Sequence, residues 1–300
     1  MADPVLQNID LDTIIQGFEQ EGYVTDDALA TTAFLLLKLR RPLLVEGHTG
    51  VGKTELAQVL AGFLGARLIR LQCYEGLDVH SAIYEWNYQR QLLAIKIQED
   101  SDRSLEEKEA HIFGESYLLA RPLLQAITEK EAAPVLLIDE IDRADEEFEA
   151  FLLELLSAFQ ITIPELGTIK ARHRPHVILT SNRTRDLSDA LKRRCLYYWI
   201  DYPDRDKELR IIEQRMPGIE AALADQVVRF IQSLRQLKLT KTPGVAETLD
   251  WTAALLALGK HTLDAATIER TIGCVLKSSE DIALLKAEGI ERLLTQALAA

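Results

Sequence analysis

The residues that most directly indicate chemistry form a glycine-rich loop in the first quarter of the chain. They follow the pattern G-x-x-x-x-G-K-T and are Gly47, His48, Thr49, Gly50, Val51, Gly52, Lys53 and Thr54. Glycines let a backbone wrap around phosphate, and the exposed N–H groups at a helix start favour an anion. In this pattern the lysine reaches the β- and γ-phosphates of a nucleotide, and the final hydroxyl holds Mg²⁺. The alternative is a chance glycine-rich turn, which the strand-like and helix-forming flanks disfavour.

Two acidic residues end a hydrophobic run farther along the chain. The run starts at Pro134 and ends in Asp139 and Glu140, a pattern typical of a buried parallel strand with polar groups at its tip. Asp139 can hold Mg²⁺ through water, and Glu140 can orient and polarise an attacking water molecule. The alternative is a core strand that ends in surface acids. The glycine loop upstream favours the nucleotide interpretation.

A third strand-like run, residues 176–180, ends in Ser181 and Asn182. An amide at this strand tip could position the attacking water or contact the γ-phosphate. Taken alone the signal is weak, because serine and asparagine are also ordinary turn residues.

A parallel sheet is the element that must position these groups. Helical segments separate strand-like runs at residues 42–46, 68–72, 134–139, 176–181 and 197–201. This alternation predicts an α/β fold, with a parallel five-stranded sheet and helices on both faces. After residue 203 the strands stop, and apolar residues recur at helical spacing. We therefore expect a nucleotide-binding domain over 1–203, with helices at its N-terminal end, and a small all-α lid domain over 204–300.

Two insertions interrupt the simple alternation. Residues 73–100 are rich in aromatic and glutamine side chains, and we predict that Trp86 and the tyrosines around it contact another chain. A helical insert that packs on its own domain is the equal alternative. The second insertion, at 160–172, has two β-rich runs around a Pro-Glu-Leu-Gly turn and predicts a hairpin.

The composition limits the classes of function. The formal net charge is −13 and the pI is about 5.0, which argues against a general nucleic-acid binder. The chain starts with an acidic segment rather than a secretory signal, and no apolar run approaches a membrane span. Its three cysteines are widely spaced and form no metal or redox motif, so we expect reduced thiols. These features favour a cytoplasmic protein.

The order of these motifs resembles the AAA+ ATPases, and several segments resemble the MoxR group within them. The segments at 45–55, 138–144 and 180–182 carry the MoxR resemblance, and those at 72–78 and 187–197 are most similar to its CoxD-like members. The similarity covers about residues 20–300. The glycine loop is common to many unrelated proteins, whereas the last two segments are much more specific.

The resemblance implies a ring-forming ATPase, usually a hexamer, that acts as a chaperone. Such proteins remodel or mature a client, often a metal-cofactor enzyme, and commonly work with a partner that carries a von Willebrand A domain. The expected cofactors are ATP and Mg²⁺. The site roles carried over are phosphate binding by Lys53, Mg²⁺ binding by Thr54 and Asp139, catalysis by Glu140, sensing by Asn182, and an arginine finger at Arg193 or Arg194. A solvated basic turn is the alternative for the two arginines.

One motif departs from the family pattern. Many relatives carry an arginine sensor in the helical lid, but residues 242–251 contain no arginine, and Lys241 is the nearest cation. The sequence leaves the existence of a second sensor open.

Three other functions share some of these features. A small-molecule kinase has the same loop, but Glu140 beside Asp139 suits hydrolysis by water, and the hairpin and helical lid disfavour a kinase. A nucleotide-regulated scaffold with slow hydrolysis is hard to separate from a motor by sequence. A DNA-translocating role is disfavoured by the net charge and by the lack of a recognisable DNA-binding appendage.

Overall fold

The computed structural model describes residues 9–98 and 104–299, and its β-strands alternate with helices. In chain order the strands are β1 (Leu43–Gly47), β2 (Leu68–Gln72), β3 (Tyr84–Trp86), β4 (Leu118–Ala120), β5 (Val135–Asp139), β6 (Gln160–Ile163), β7 (Gly167–Lys170), β8 (His176–Ser181) and β9 (Leu196–Ile200).

The α-helices occupy the segments between these strands and the whole region after β9. They are α1 (Leu11–Gln20), α2 (Asp27–Leu39), α3 (Lys53–Leu64), α4 (Val79–Ile83), α5 (Tyr88–Gln98), α6 (Leu105–Ile112), α7 (Pro122–Thr128), α8 (Glu146–Ala158), α9 (Asp189–Arg194), α10 (Arg205–Arg215), α11 (Ala221–Arg235), α12 (Val245–Ala257), α13 (Ala265–Thr271), α14 (Ser279–Glu288) and α15 (Ile290–Ala299).

Five strands form one sheet in the order β2-β5-β8-β1-β9. The pairs β2–β5, β5–β8 and β8–β1 are parallel, and β1, β5 and β8 are buried along their whole length. Strands covered on both faces are apolar along their middle, with polar residues near their ends, which explains why these runs lack alternating polar residues. The predicted five-stranded parallel α/β sheet is confirmed. An antiparallel hairpin of β6 and β7 occupies the segment for which the sequence predicts one.

The chain separates into two compact units. Described residues within Met1–Ile15, Asp27–Glu46 and Ala57–Tyr198 form the first, and those within Gln16–Asp26, Gly47–Leu56 and Trp199–Ala300 form the second. The core of the first unit lies on the central sheet and includes Leu136, Ile138 and Leu179. The second unit therefore contains the whole glycine loop together with the helical region, whereas the first contains Asp139, Glu140 and Asn182.

Residues 73–98 form a folded insert. Residues 99 and 100, which end the predicted insertion, lie outside the part of the chain that the structure describes. The insert contains α4, β3 and α5, and β3 pairs with β4. Trp86 is only 8% exposed and packs edge-on against Tyr84 and Phe113. The hypothesis that Trp86 contacts another chain is wrong, because this side chain belongs to the core of its own unit. Other large apolar side chains of the described insert are exposed, namely Tyr74 before α4 and Tyr88, Leu92, Leu93, Ile95 and Ile97 on α5. Contact of the exposed tyrosines with another chain stays a prediction.

The second unit has a helical core. The buried face of α11 carries apolar residues at helical spacing, and Trp251 of α12 packs against Phe230. One ion pair is buried here: Arg235 contacts Glu208 at 2.7 Å, and Thr248 donates a hydrogen bond to the same carboxylate at 2.8 Å. These polar contacts fix the segment before α12, because Arg235 also donates to the carbonyl of Pro243. Within the described residues, none of the helices combines the length and apolar character that crossing a membrane requires.

Candidate functional site

The glycine loop joins β1 to α3 through backbone conformations that favour glycine. Gly50 and Gly52 have φ of +78° and +94°, values that side chains with a Cβ rarely adopt. At Gly47 a Cβ would stand 2.2 Å from the carbonyl oxygen of Ile200. The glycines of the pattern are therefore required by the backbone itself, and the loop ends at the first turn of α3, where N–H groups are unpaired within the helix.

Lys53, the first residue of α3, turns its buried side chain back onto this loop. Its ammonium donates to the carbonyl oxygens of Gly47 at 2.9 Å and of His48 at 2.5 Å. These contacts hold the positive charge at the loop, which is the position that the phosphate-binding interpretation requires.

The glycine loop also contacts the start of α12 within the second unit. The N–H of Ala246 donates to the carbonyl of Gly50 at 3.1 Å. A Cβ on Gly244 would lie 2.7 Å from the carbonyl oxygen of Thr49. The loop and the start of α12 therefore meet through their backbones, in the stretch where the sequence offers no arginine.

An aromatic stack joins the loop to the segment after β9. The His48 and Tyr202 rings are stacked, with centroids 4.5 Å apart and planes 9° from parallel, and the guanidinium of Arg235 lies 4.9 Å from the Tyr202 centroid. Burial raises the pKa of Tyr202 above its usual value, so its hydroxyl stays protonated near neutrality. Sequence reasoning missed this stack, because His48 is a variable position of the loop pattern.

Asp139, Glu140 and Asn182 lie together at the carboxyl end of the sheet. Asp139 ends β5, Asn182 follows β8, and these strands are neighbours. The Asn182 side-chain amide donates to Glu140 Oε1 at 3.3 Å. The three predicted residues of the first unit are therefore in one group.

Thr180 holds both acids in place. Its hydroxyl donates to Asp139 Oδ1 at 2.5 Å and accepts a hydrogen bond from the Glu140 N–H at 2.9 Å. Glu140 has φ 55° and ψ 49°, a left-handed conformation that is uncommon outside glycine. The Thr180 contact stabilises this conformation. Sequence reasoning missed Thr180, since an alcohol within a buried strand has no distinctive signal.

Further polar side chains surround the two acids. Arg143 contacts Glu140 Oε2 at 2.9 Å, and Gln72, at the end of β2, donates to the same oxygen at 3.2 Å. Arg70 contacts Asp139 Oδ2 at 2.5 Å. Both carboxylates are thus paired with cationic or amide donors, and none of these three partners was predicted as a site residue.

Asp142 anchors the backbone that follows β8. Its buried carboxylate accepts hydrogen bonds from the N–H of Asn182 at 3.2 Å and of Thr184 at 2.8 Å, and from the Thr184 hydroxyl at 2.7 Å. A carboxylate that receives several backbone N–H groups fixes a loop strongly. Asp142 therefore positions Asn182. The sequence alone does not indicate this role, because Asp142 is one of several acidic residues in its segment.

Arg193 and Arg194 end the short helix α9, and both are exposed. Their backbone carbonyls accept hydrogen bonds from Arg41, at 2.9 Å to Arg193 and 3.4 Å to Arg194. Over residues 9–98 and 104–299, neither guanidinium has a hydrogen bond or ion pair. The structure therefore does not bring these arginines into the group around Glu140, and their role stays a prediction.

Two of the three cysteines, Cys73 and Cys195, are buried, and Cys274 is partly exposed. All three are free thiols. Burial, with a smaller contribution from the Asp139 carboxylate, raises the pKa of Cys73 to about 12, and burial also raises that of Cys195 to about 12. Since the thiolate is the reactive form, we expect the partly exposed Cys274 to react first with iodoacetamide at about pH 8. Peptide mass spectrometry of native and denatured protein measures this, and equally fast native labelling of Cys73 would contradict it.

The sequence is similar to a known protein family and to several bacterial proteins. A family model described as "AAA domain (dynein-related subfamily)" matches residues 42–195, about half of the chain. An uncharacterized protein of Staphylococcus haemolyticus is 27% identical over 254 residues, which cover 83% of this chain and 88% of that protein. An uncharacterized protein of Staphylococcus epidermidis is 28% identical over 250 residues, covering 81% and 85%.

Solved structures of RuvB from Thermotoga maritima are also similar. A mutant form matches with a TM-score of 0.49 and 16% identity, covering 94% of this chain and 76% of that chain. A second RuvB structure, described as a Holliday junction branch migration motor, matches with a TM-score of 0.43 and 18% identity, covering 87% and 66%.

Proposed function

Because the chain belongs to the AAA domain family, in its dynein-related subfamily, we propose that it is a motor that binds ATP and hydrolyses it with water. The observation that carries this proposal is the group of Asp139, Glu140 and Asn182 at the carboxyl end of a parallel sheet. A carboxylate beside an amide suits the orientation and deprotonation of a water molecule that attacks a phosphate. The glycine loop that leaves β1 supplies the phosphate-binding part.

Each site residue has a defined role in this proposal. Residues 47–54 wrap the phosphates, with the Lys53 ammonium on the β- and γ-phosphates. Glu140 orients the attacking water and takes up its proton, and Asn182, as the sensor, positions that water or contacts the γ-phosphate. Arg193 or Arg194 reaches the γ-phosphate of a neighbouring subunit.

Mg²⁺ fits the donors that the chain offers. Thr54 and Asp139 supply a hydroxyl and a carboxylate, which are the hard oxygen ligands that Mg²⁺ prefers, and such sites share the metal with nucleotide phosphates. In the part of the chain that the structure describes, no cluster of three or more His, Cys, Asp or Glu residues could hold a metal alone. Bound Mg²⁺ would offset the negative charge of the phosphates.

The finer proposal concerns the biological task. We place the chain in the MoxR group, near its CoxD-like members, on the segments at 72–78 and 187–197. Members of this group act as ring-shaped chaperones, so we propose a hexameric ring that matures a client, a metal-cofactor enzyme, together with a von Willebrand A domain partner. We also propose that the lid domain begins near residue 204.

A Lys53→Ala variant tests nucleotide binding. Loss of the ammonium removes a hydrogen bond between charged groups, so we expect the affinity for ATP to fall about 10- to 100-fold. Titration with a fluorescent ATP analogue measures this. The matched control is Lys260→Ala, which removes a lysine that pairs with Asp264 in the second unit and should leave the affinity unchanged. Equal affinity in the wild type and Lys53→Ala would remove the phosphate-loop assignment.

The slow scaffold remains the competing function, and turnover separates the two. A motor is expected to hydrolyse ATP repeatedly and faster when a client is present. A scaffold is expected to bind nucleotide, change its partner affinity, and turn over too slowly to drive repeated cycles.

A further inference from the structure

Asp139 has a different partner on each of its two carboxylate oxygens. Thr180 donates to Oδ1 at 2.5 Å, and the Arg70 guanidinium contacts Oδ2 at 2.5 Å. The Asp139 side chain is only 3% exposed, whereas that of Arg70 is 51% exposed. One oxygen is therefore held by a buried neutral group, and the other by a cation with access to solvent.

Strand pairing places Arg70 at this position. β2 and β5 are parallel, with Gln72 opposite Asp139 and Arg70 opposite Leu137. Since side chains two residues apart lie on the same face of a strand, Arg70 and Gln72 point the same way. The long Arg70 side chain extends along the strand to Asp139 and also donates to Gln72 Oε1 at 2.6 Å. The contact is thus a product of sheet register.

We propose that Arg70 is a counter-ion that competes with Mg²⁺ for Asp139. The inference rests on the proposed function, which assigns Asp139 to the metal. A buried carboxylate needs a cationic partner, and the same oxygen cannot hold both a guanidinium and a divalent ion, directly or through the water of the metal, without strong repulsion. The exposed guanidinium can withdraw into water at little cost, while Thr180 keeps the carboxylate oriented.

Competition of this kind weakens the apparent metal affinity. Only molecules in which Asp139 is not paired with Arg70 can bind the metal. The measured metal affinity is therefore the intrinsic affinity multiplied by the fraction of such molecules. If that fraction is about a tenth, removal of the guanidinium strengthens metal binding about 10-fold. A purely supporting role predicts the reverse, because a supporting residue orients Asp139 and its loss would weaken metal binding.

The test is Mn²⁺ binding to the full chain with a fixed concentration of a non-hydrolysable ATP analogue. Electron paramagnetic resonance counts the free Mn²⁺, and the analogue alone gives the background. We expect Arg70→Gln to bind Mn²⁺ about 10-fold more tightly than the wild type, and Arg70→Lys to fall between the two, since it retains the charge without the planar fork.

Two matched variants control for loss of an arginine. Arg67→Gln removes an arginine just before the same strand, where it pairs with Glu129 at 3.0 Å, and should leave Mn²⁺ binding unchanged. Arg143→Gln removes a charge that contacts Glu140, the acid next to Asp139, so it reports the general effect of one fewer positive charge. Circular dichroism of each variant establishes that it folds.

The outcomes separate the inference from the proposed function. Unchanged or weaker Mn²⁺ binding in Arg70→Gln overturns the competition, and so does an equal gain in Arg143→Gln. An Asp139→Asn variant that binds Mn²⁺ and the analogue as the wild type does would overturn the metal assignment itself, and with it the basis of the inference. A selective gain in Arg70→Gln, together with loss in Asp139→Asn, supports both.

Discussion

A Glu140→Gln variant is expected to bind ATP but to hydrolyse it at least ~10²-fold more slowly than the wild type, the scale of a lost general base. The amide keeps the size of the side chain but cannot accept the proton of the attacking water. Glutamine keeps one acceptor oxygen, which can still accept a hydrogen bond from Arg143 or from Asn182, so the local fold should persist. Phosphate release under saturating ATP measures the rate, and a separate titration measures nucleotide affinity.

The matched control for this variant is Glu147→Gln, which changes an exposed glutamate in the first turn of α8. It should hydrolyse ATP at the wild-type rate. Near-wild-type hydrolysis by Glu140→Gln would mean that another group activates the water. The variant also offers a way to identify the client, because a complex that stays in the ATP-bound form can be purified with the proteins that it holds.

The second large effect is expected at Arg193 and Arg194. An arginine finger can contribute about 10³–10⁵ to the rate of phosphate transfer, so the double alanine variant should lose nearly all activity while it still binds ATP. Both side chains are exposed at the end of α9. A finger that acts on a neighbouring subunit also requires assembly, so specific activity should rise with protein concentration.

Mixing two inactive variants tests whether the finger acts between subunits. Lys53→Ala subunits have a defective site and an intact finger, whereas Arg193→Ala/Arg194→Ala subunits have the reverse. Mixed rings should recover part of the activity at interfaces where an intact site meets an intact finger. Lys192→Ala is the control, since it changes a neighbouring basic residue that lies near Asp186. If mixed rings form without recovery, the site is complete within one chain and the proposal that the finger acts between subunits falls.

The sequence predicts those parts of the molecule that depend on local pattern. Buried parallel strands need uninterrupted apolar runs, so β1, β5 and β8 could be located, and the acids that end β5 stand out because they follow such a run. The glycine loop is predictable because its backbone conformations require glycine at fixed spacing.

The partners of the two acids could not be predicted in the same way. Arg70 contacts a residue 69 positions away, and Thr180 contacts one 41 positions away. Such pairs depend on strand order and register, which one sequence without relatives does not reveal. The prediction for Trp86 was wrong for a related reason. An aromatic residue in an insert is equally compatible with an interface and with a core, and only the packing of Trp86 against Tyr84 and Phe113 shows that it lies in a core.

The backbone contacts of Gly244 limit how the chain could be recombined with its relatives. A Cβ there would lie 2.7 Å from the Thr49 carbonyl, and Ala246 bonds to Gly50. The segment 204–300, which we propose as the lid, is therefore not an interchangeable module, although it is continuous in sequence. A chimera that takes 204–300 from another protein would keep a working junction only if its glycine loop came from the same donor. These contacts join the stretch around Gly244 to the distant stretch around Gly50, so we expect these two parts of the gene to change together.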